Sequence, residues 1–400
     1  MLTLEEAQAK LLALAPRTYP TLVGLSLSPL GATARYFASD ITAHRTQPSA
    51  DLSAMDGYAI SGDGPWQRVG ESRAGAPFDG MVSAGECTRI STGAHVPEGA
   101  DRILIQENAD VTGDMVALRE GETLPPVDRH VRKAGFDFAK DDIVLHRGER
   151  LTAASQALAI AAGNTVLPVI EPPSVAVLDS GDELAPVGTP PGPHQIPASN
   201  GAMLASMLYP YVGPVDALGP VADDHDALAR ALKQAEDCHI LITSGGASVG
   251  DHDLIQQALK DWGADLAFWK VAIKPGKPLM VATREADWGT QVILGLPGNP
   301  VSSYVTAFLF ALPLIRKSMG AADPLPRAGL AVASEALPAV GKRREFLRAV
   351  MSNGEVRLAA SQDSSALRAL ASANCLIDRP AGSQQVAVGE LVPVYNLQNG

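Results

Sequence analysis

From Ser174 to about Lys317, short apolar runs alternate with amphipathic stretches, and no other feature narrows the possible folds as much. Ser174-Val-Ala-Val-Leu178 reads as a buried strand ending at Asp179, and His239–Thr243 as a second. Leu266–Ile273, Met280–Thr283 and Val292–Leu294 read as further strands. Between them, residues 200–209 and 225–236 have helical spacing, the latter with Ala227, Leu228, Ala231, Leu232 and Ala235 on one face. Asp253 is placed to cap a helix carrying Leu254, Ile255, Ala258 and Leu259, and Ser302 or Ser303 to start the last one. Strands separated by helices predict a doubly wound, mainly parallel α/β sheet. The most apolar run, Tyr304–Ile315, contains Pro313 and is too short to span a bilayer, so it reads as a buried helix.

Three glycine-rich corners punctuate this region: Thr243–Asp253, Lys270–Pro278 and Gly295–Ser303. Two of them directly follow strand-like runs, where an open α/β sheet presents backbone N–H groups to an anion. Ser244, Gly245, Gly246 and Ser248 form the first corner, before Asp253. In the second, Lys270 and Lys274 share strand parity, which predicts that both point to one face, and Lys277 follows in a turn stiffened by prolines. In the third, Pro297 and Pro300 bracket Gly298-Asn299, with Ser302 at the positive end of the next helix. Taken singly, each is an ordinary turn or helix start. Together they predict a site for a large anionic ligand.

The net charge of -12 sets the terms for such a site. A chain this acidic is a poor general nucleic-acid binder, so any anion must be held by a local cluster of cations and N–H donors. Asp179-Ser-Gly-Asp-Glu183 follows the first strand, and Glu183 with Asp253 offers hard oxygens suited to Mg²⁺. Asp223-Asp224 and Ser199-Asn200 read equally as helix caps or ligand contacts. Cys87, Cys238 and Cys375 are far apart, which argues against a disulfide framework or a zinc site. The start of the chain lacks the basic segment of a signal peptide, and a cytoplasmic protein without membrane segments is expected.

Outside the alternating region the texture changes. Residues 2–15 and 151–162 have helical patterns, residues 40–148 hold short β-prone pieces, and residues 327–400 are again β-rich. The division expected is a helical domain (1–26 and 147–170), an inserted β-rich domain (27–146), an α/β domain (171–325) and a barrel-like β domain (326–400).

Ser53-Ala-Met-Asp-Gly-Tyr-Ala59, Gly70-Glu-Ser72, Thr92–Asp101, Arg132–Asp137, Gly181-Asp-Glu-Leu184 and the three corners, in that order, resemble the molybdopterin molybdenumtransferase family, the MoeA proteins and the E domain of gephyrin. The resemblance spans most of the chain. It implies a homodimer that inserts molybdate into the dithiolene of adenylylated molybdopterin, with Mg²⁺ stimulation and release of AMP. It implies acidic roles for Asp56 and Asp137, reaching the partner's cleft, and for Glu183, Asp224 and Asp253 in the sheet-domain cleft. Lys270 and Lys274 are implied as contacts to the anionic substrate. Lys277, Pro297, Pro300 and Ser302 are implied near molybdate, and Arg348 and Ser364 face the same cleft. Transient contacts with a molybdopterin adenylyltransferase and with downstream molybdoenzymes or cofactor carriers are expected. The alternatives are a molybdopterin adenylyltransferase, whose Thr-x-Gly-Thr-Gly type of loop differs from Thr243-Ser-Gly-Gly-Ala247, and a non-catalytic molybdopterin-binding scaffold.

Overall fold

The computed structural model of the protein describes residues 1–25, 34–245 and 254–397. The chain forms two compact units, one of residues 1–39, 147–151 and 168–400, the other of residues 40–146 and 152–167.

The larger unit is built on a six-stranded sheet in the spatial order Asp216–Val221, Val175–Ser180, Ile240–Ser244, Gly289–Leu296, Met280–Ala286, Asp265–Trp269. The first four strands are mutually parallel and the last two run antiparallel, so the sheet is mainly parallel with an antiparallel edge. Successive side chains on the central strands go to opposite faces. Val175, Val177, Ile240, Ile242, Val292 and Leu294 enter one core, with Leu204 and Leu208 of the helix Asn200–Val212. Ala176, Leu178, Leu241 and Ile293 enter the other, against Leu228 and Leu232 of His225–Gln234 and Ile255 and Leu259 of Leu254–Asp261. Helices therefore cover both faces, as a doubly wound fold requires. Full burial of one such Val, Leu or Ile side chain contributes about 1.5–3 kcal/mol.

The single strand expected over Leu266–Ile273 is broken. Lys270 has φ 72°, a left-handed conformation that ends the strand at Trp269. The Lys270 carbonyl accepts from Leu2 N–H, and Ile273–Lys274 forms a separate short strand beside Arg344–Glu345. The last helix begins at Pro300, with Asn299 as its N-cap, rather than at Ser302 or Ser303. Proline supplies the fixed φ of a first helical residue and lacks an N–H that would go unpaired there. The N-terminal helix Leu4–Ala13 is capped by Thr3 and inserts Leu4, Ala7 and Leu11 into the first core.

Near the C-terminus, Arg344–Ser352, Glu355–Leu358, Gly329–Ala333, Leu391–Asn396 and Cys375–Arg379 pair in that order, and the last pairs back onto the first. This closed barrel-like sheet encloses Ala333, Ala349, Val356, Cys375 and Val392.

The smaller unit carries a second six-stranded sheet, ordered Arg102–Ile105, Gly57–Ile60, Glu86–Ile90, Trp66–Ser72, Met115–Leu118, Ala109–Thr112. Its second strand approaches Leu104 so closely that a Cβ at Gly57 would lie 2.1 Å from the Leu104 carbonyl oxygen. The helix Ala153–Ala161 also belongs to this unit, where Phe138 packs on Ala43 and Ala162 beside it.

Candidate active site

Asp179 and Ser244 are register partners at the ends of adjacent parallel strands. From Val175–Ser180 the chain proceeds to Asp216–Val221 on one side, whereas Ile240–Ser244 lies on the other. Such a switch point opens a crevice beyond the strand ends. A cleft of about 1130 Å³ occupies it, a volume suited to a sizeable small molecule.

Asn200 holds the cleft together. Its Nδ2 donates to Ser244 Oγ at 2.8 Å and to the Gly298 carbonyl at 2.7 Å, so one carboxamide fixes a helix start, a strand end and a corner. Gly245 N–H donates to the Leu296 carbonyl at 3.2 Å, joining the first and third corners again. Gly245 has φ 99°, and a Cβ there would lie 3.0 Å from the Ser180 carbonyl oxygen, so the turn requires glycine on two grounds.

Lys270 and Lys277 both line the cleft, because Val271 N–H donates to the Lys277 carbonyl and folds the intervening loop back on itself. Gly276 lets this loop press on the last helix, where a Cβ would meet Thr306 Cγ2 at 2.4 Å. On the apolar side lie Leu184, Ile196, Pro197 and Ala198, together with Leu254, Ile255 and Leu367. The Pro-rich stretch 186–197 closes on itself through parallel pairing of Leu184–Ala185 with Ile196–Pro197.

Acidic groups also belong to the cleft lining. Glu183 and Asp223 line the cleft, and Asp223 N–H donates to Asp182 Oδ1 at 3.0 Å. Burial raises the Asp223 carboxyl above the usual carboxylate range, and the negative charges of Asp182 and Glu183 push it further. Among the described residues, no group of three or more His, Cys, Asp or Glu side chains is arranged to hold a metal ion.

Models of three families match consecutive parts of the chain: the MoeA N-terminal region (domain I and II) over residues 2–163, the probable molybdopterin binding domain over 176–317, and the MoeA C-terminal region (domain IV) over 331–397. The molybdopterin molybdenumtransferase of Haemophilus influenzae is 34% identical over 407 residues, covering 98% of each chain. The chain belongs to the molybdopterin molybdenumtransferase family. Molybdopterin molybdenumtransferase 2 of Mycobacterium tuberculosis is 36% identical over 376 residues, 90% of this chain and 91% of that one. The crystal structure of the molybdopterin biosynthesis moeA protein from Pyrococcus horikoshii OT3 superimposes with a TM-score of 0.82 over 99% of this chain and 100% of that one, at 24% identity, a likeness of fold.

Of the site residues expected for a molybdopterin molybdenumtransferase, Glu183, Ser199, Asn200, Ser244, Gly245, Lys270, Lys277, Pro297, Gly298, Asn299 and Pro300 are brought together around the cleft. Others sit elsewhere. The shared parity expected for Lys270 and Lys274 fails because the strand ends at Trp269. Lys274 instead pairs with Glu345, Nζ to Oε1 at 3.1 Å. Asp224 caps the helix His225–Gln234 by accepting from Ala227 N–H, and its neighbour Asp223 faces the cleft. Ser302 is buried in the first turn of its helix.

Arg348 is buried behind the wall, where Nη2 donates to the Ser361 and Asp363 carbonyls at 3.0 Å each. Burial lowers its pKa. The turn it holds presents Ser364 to Asn299 and places Ser365 on the cleft. Gly246, Ser248 and Asp253 lie outside the described residues.

In the smaller unit, Asp56 accepts from Thr92 N–H at 2.6 Å and from its hydroxyl at 3.0 Å, which hold its pKa down. Ser53 N–H donates to the Ala94 carbonyl and Gly93 N–H to the Ser53 carbonyl, so the Ser53–Tyr58 and Thr92-Gly-Ala94 segments form one assembly. Asp137 is exposed next to the exposed ring of Phe136.

Sequence reasoning missed Ser365 and the apolar wall. Leu184 and Ile196 lie in an irregular Pro-rich loop, where no periodicity marks which face they take. The acidic Asp223 was visible but indistinguishable from a helix cap.

Proposed function

We propose that the cleft binds adenylylated molybdopterin and molybdate, and that molybdenum passes to the pterin dithiolene as AMP is released. The observation that carries this reading is the switch-point cleft stapled by Asn200, lined by Lys270, Lys277, the glycine corners and apolar side chains such as Leu184 and Ile196. The apolar side chains suit a flat ring system, and the cations and N–H groups suit a phosphoanhydride and an oxyanion. An oxygen of water or molybdate attacks the adenylyl phosphorus, forming one P–O bond as the anhydride P–O bond breaks. Lys270 and Lys277 hold the charge that develops there. The thiols of Cys87, Cys238 and Cys375 are buried with pKa values pushed up to about 11, so none suits a covalent step.

Mg²⁺ fits the acidic donor set. Glu183 and Asp223 would hold it through hard carboxylate oxygens, and a divalent cation would relieve the crowding that raises Asp223. When bound, it would neutralise charge on the anhydride. The reading further includes a homodimer in which Asp56 and Asp137 of the smaller unit face the cleft of a second copy. It includes the four-domain division given above, a cytoplasmic setting, delivery of the pterin by an adenylyltransferase, and a molybdoenzyme or carrier as recipient. Among the described residues no helix is long and apolar enough to cross a membrane. Thr243-Ser-Gly-Gly-Ala247 lacks the threonine-bearing glycine loop of adenylyltransferases, which favours the transfer reaction over adenylylation.

Incubating the purified protein with adenylylated molybdopterin, molybdate and Mg²⁺, with ¹⁸O in water or in molybdate, tests the scheme. AMP carrying label from one source supports it. AMP labelled from neither sinks it.

A further inference from the structure

Asp179 is a buried carboxyl in the cleft lining. It is 6% exposed, yet its two oxygens are treated unequally. Oδ2 accepts from Gly201 N–H at 2.7 Å, in the first turn of the helix Asn200–Val212. Oδ1 is buried and has no hydrogen-bond partner among the described residues. A buried carboxylate with one oxygen unsatisfied is destabilising, and a neutral acceptor would serve Gly201 equally well. The burial of Asp179 therefore calls for an account beyond this one hydrogen bond.

Its surroundings give an account. A Cβ at Gly201 would lie 2.5 Å from Oδ2, so only glycine lets the helix start come this close. The residue before it is Asn200, whose Nδ2 donates to Ser244 Oγ and to Gly298. Ser244 Oγ accepts from Asn200, so its own proton must point elsewhere. The Ser244 hydroxyl and the Gly201 N–H both oppose the rise in the Asp179 pKa that burial imposes. Asp179 thus reaches the Asn200 staple through the Gly201 N–H, one residue along the chain from Asn200.

Resting on the reading of the cleft as an adenylate and molybdate site, we infer that Asp179 is a positioning residue for that ligand: by fixing Gly201 it sets the Asn200 carboxamide, and with it the spacing of the glycine corners around the bound anion.

The test uses Asp179→Ala and Asp179→Asn in the full chain, with three readouts. The thermal midpoint at neutral pH is expected to be unchanged or higher in Asp179→Asn and lower in Asp179→Ala, which leaves the Gly201 N–H without its acceptor. Calorimetric Kd for AMP, used as probe, is expected to rise about tenfold in Asp179→Ala and to stay within about threefold in Asp179→Asn, which keeps an acceptor for Gly201. The Asn200 side-chain amide resonance, in protein labelled at asparagine, is expected to move in Asp179→Ala and to be retained in Asp179→Asn, with or without ligand.

An Asp179→Ala protein with unchanged Kd and an unmoved Asn200 amide overturns the inference. A drop in midpoint and equal loss of binding in both variants also overturns it, since that marks a merely structural residue. If the wild type binds no AMP, the ligand reading fails, and the amide resonance alone then decides whether Asp179 positions Asn200.

Discussion

Asn299 Nδ2 donates to Ser364 Oγ at 3.1 Å, and the Ser364 carbonyl accepts from Val301 N–H at 3.2 Å. A turn of the barrel is thereby clamped onto the proline-bracketed corner of the sheet. Arg348 holds that turn from behind through two carbonyls, so a buried cation shapes the cleft without lining it.

Arg348→Met follows from this arrangement. It removes the donors to Ser361 and Asp363 while keeping an apolar stem in the barrel. Urea unfolding is expected to show a loss of about 2 kcal/mol, the penalty for two carbonyls left short of partners. Michaelis constants for the adenylylated substrate are expected to rise more than kcat falls, because the turn loosens rather than the chemistry changing.

Lys270 adopts φ 72°, held by its N–H to the Leu279 carbonyl and its carbonyl to Leu2 N–H. Glycine accepts this conformation without strain, whereas alanine does not. Lys270→Gly is therefore expected to be more stable than Lys270→Ala by about 1 kcal/mol in denaturant titrations, with both losing the same ligand affinity. Equal stability would show that the backbone at Lys270 is relaxed.

Burial raises the Asp179 carboxyl, opposed only by the Gly201 N–H and the Ser244 hydroxyl, with no charged neighbour among the influences on it. The native state thus binds this proton more tightly than the unfolded chain, whose carboxyl titrates near about 3.9. The stability this proton confers is complete below that value and is lost as pH rises through the raised native one. Relative to wild type, Asp179→Asn is expected to gain stability progressively across that window and to keep a constant advantage above it. Paired unfolding curves at several pH values measure the difference.

Cys87, Cys238 and Cys375 are buried, with pKa values pushed up to about 11. Native protein at neutral pH is expected to resist a thiol-specific reagent, and all three thiols to react once urea unfolds it. Mass spectrometry after timed labelling reads both states.

The parallel sheet was legible because Ser174–Leu178 and His239–Thr243 are apolar on both faces, a pattern a buried strand shares with little else. The corners were legible from glycine and proline, whose backbone preferences are local. Lys274 was misplaced because strand parity holds only while the strand continues, and the left-handed turn at Lys270 is held by Leu279, across the loop, and by Leu2, far away in sequence. Arg348 was associated with the cleft, but burial behind a turn is a tertiary fact that no spacing encodes. Asp224 and Asp223 carry identical side chains, and only the cap to Ala227 separates the helix residue from the cleft residue.

The central claim is that the Lys270 and Lys277 side of the Asn200-stapled cleft holds the anionic substrate during molybdenum transfer. AMP release from adenylylated molybdopterin, measured with and without molybdate, tests it most directly when the wild type is compared with Lys270→Ala, Lys277→Ala and the double variant. The account predicts molybdate-dependent release by the wild type, a fall in kcat/KM of about tenfold or more in each single variant, and a larger fall in the double variant. Release that ignores molybdate, or a double variant as active as the wild type, would contradict it.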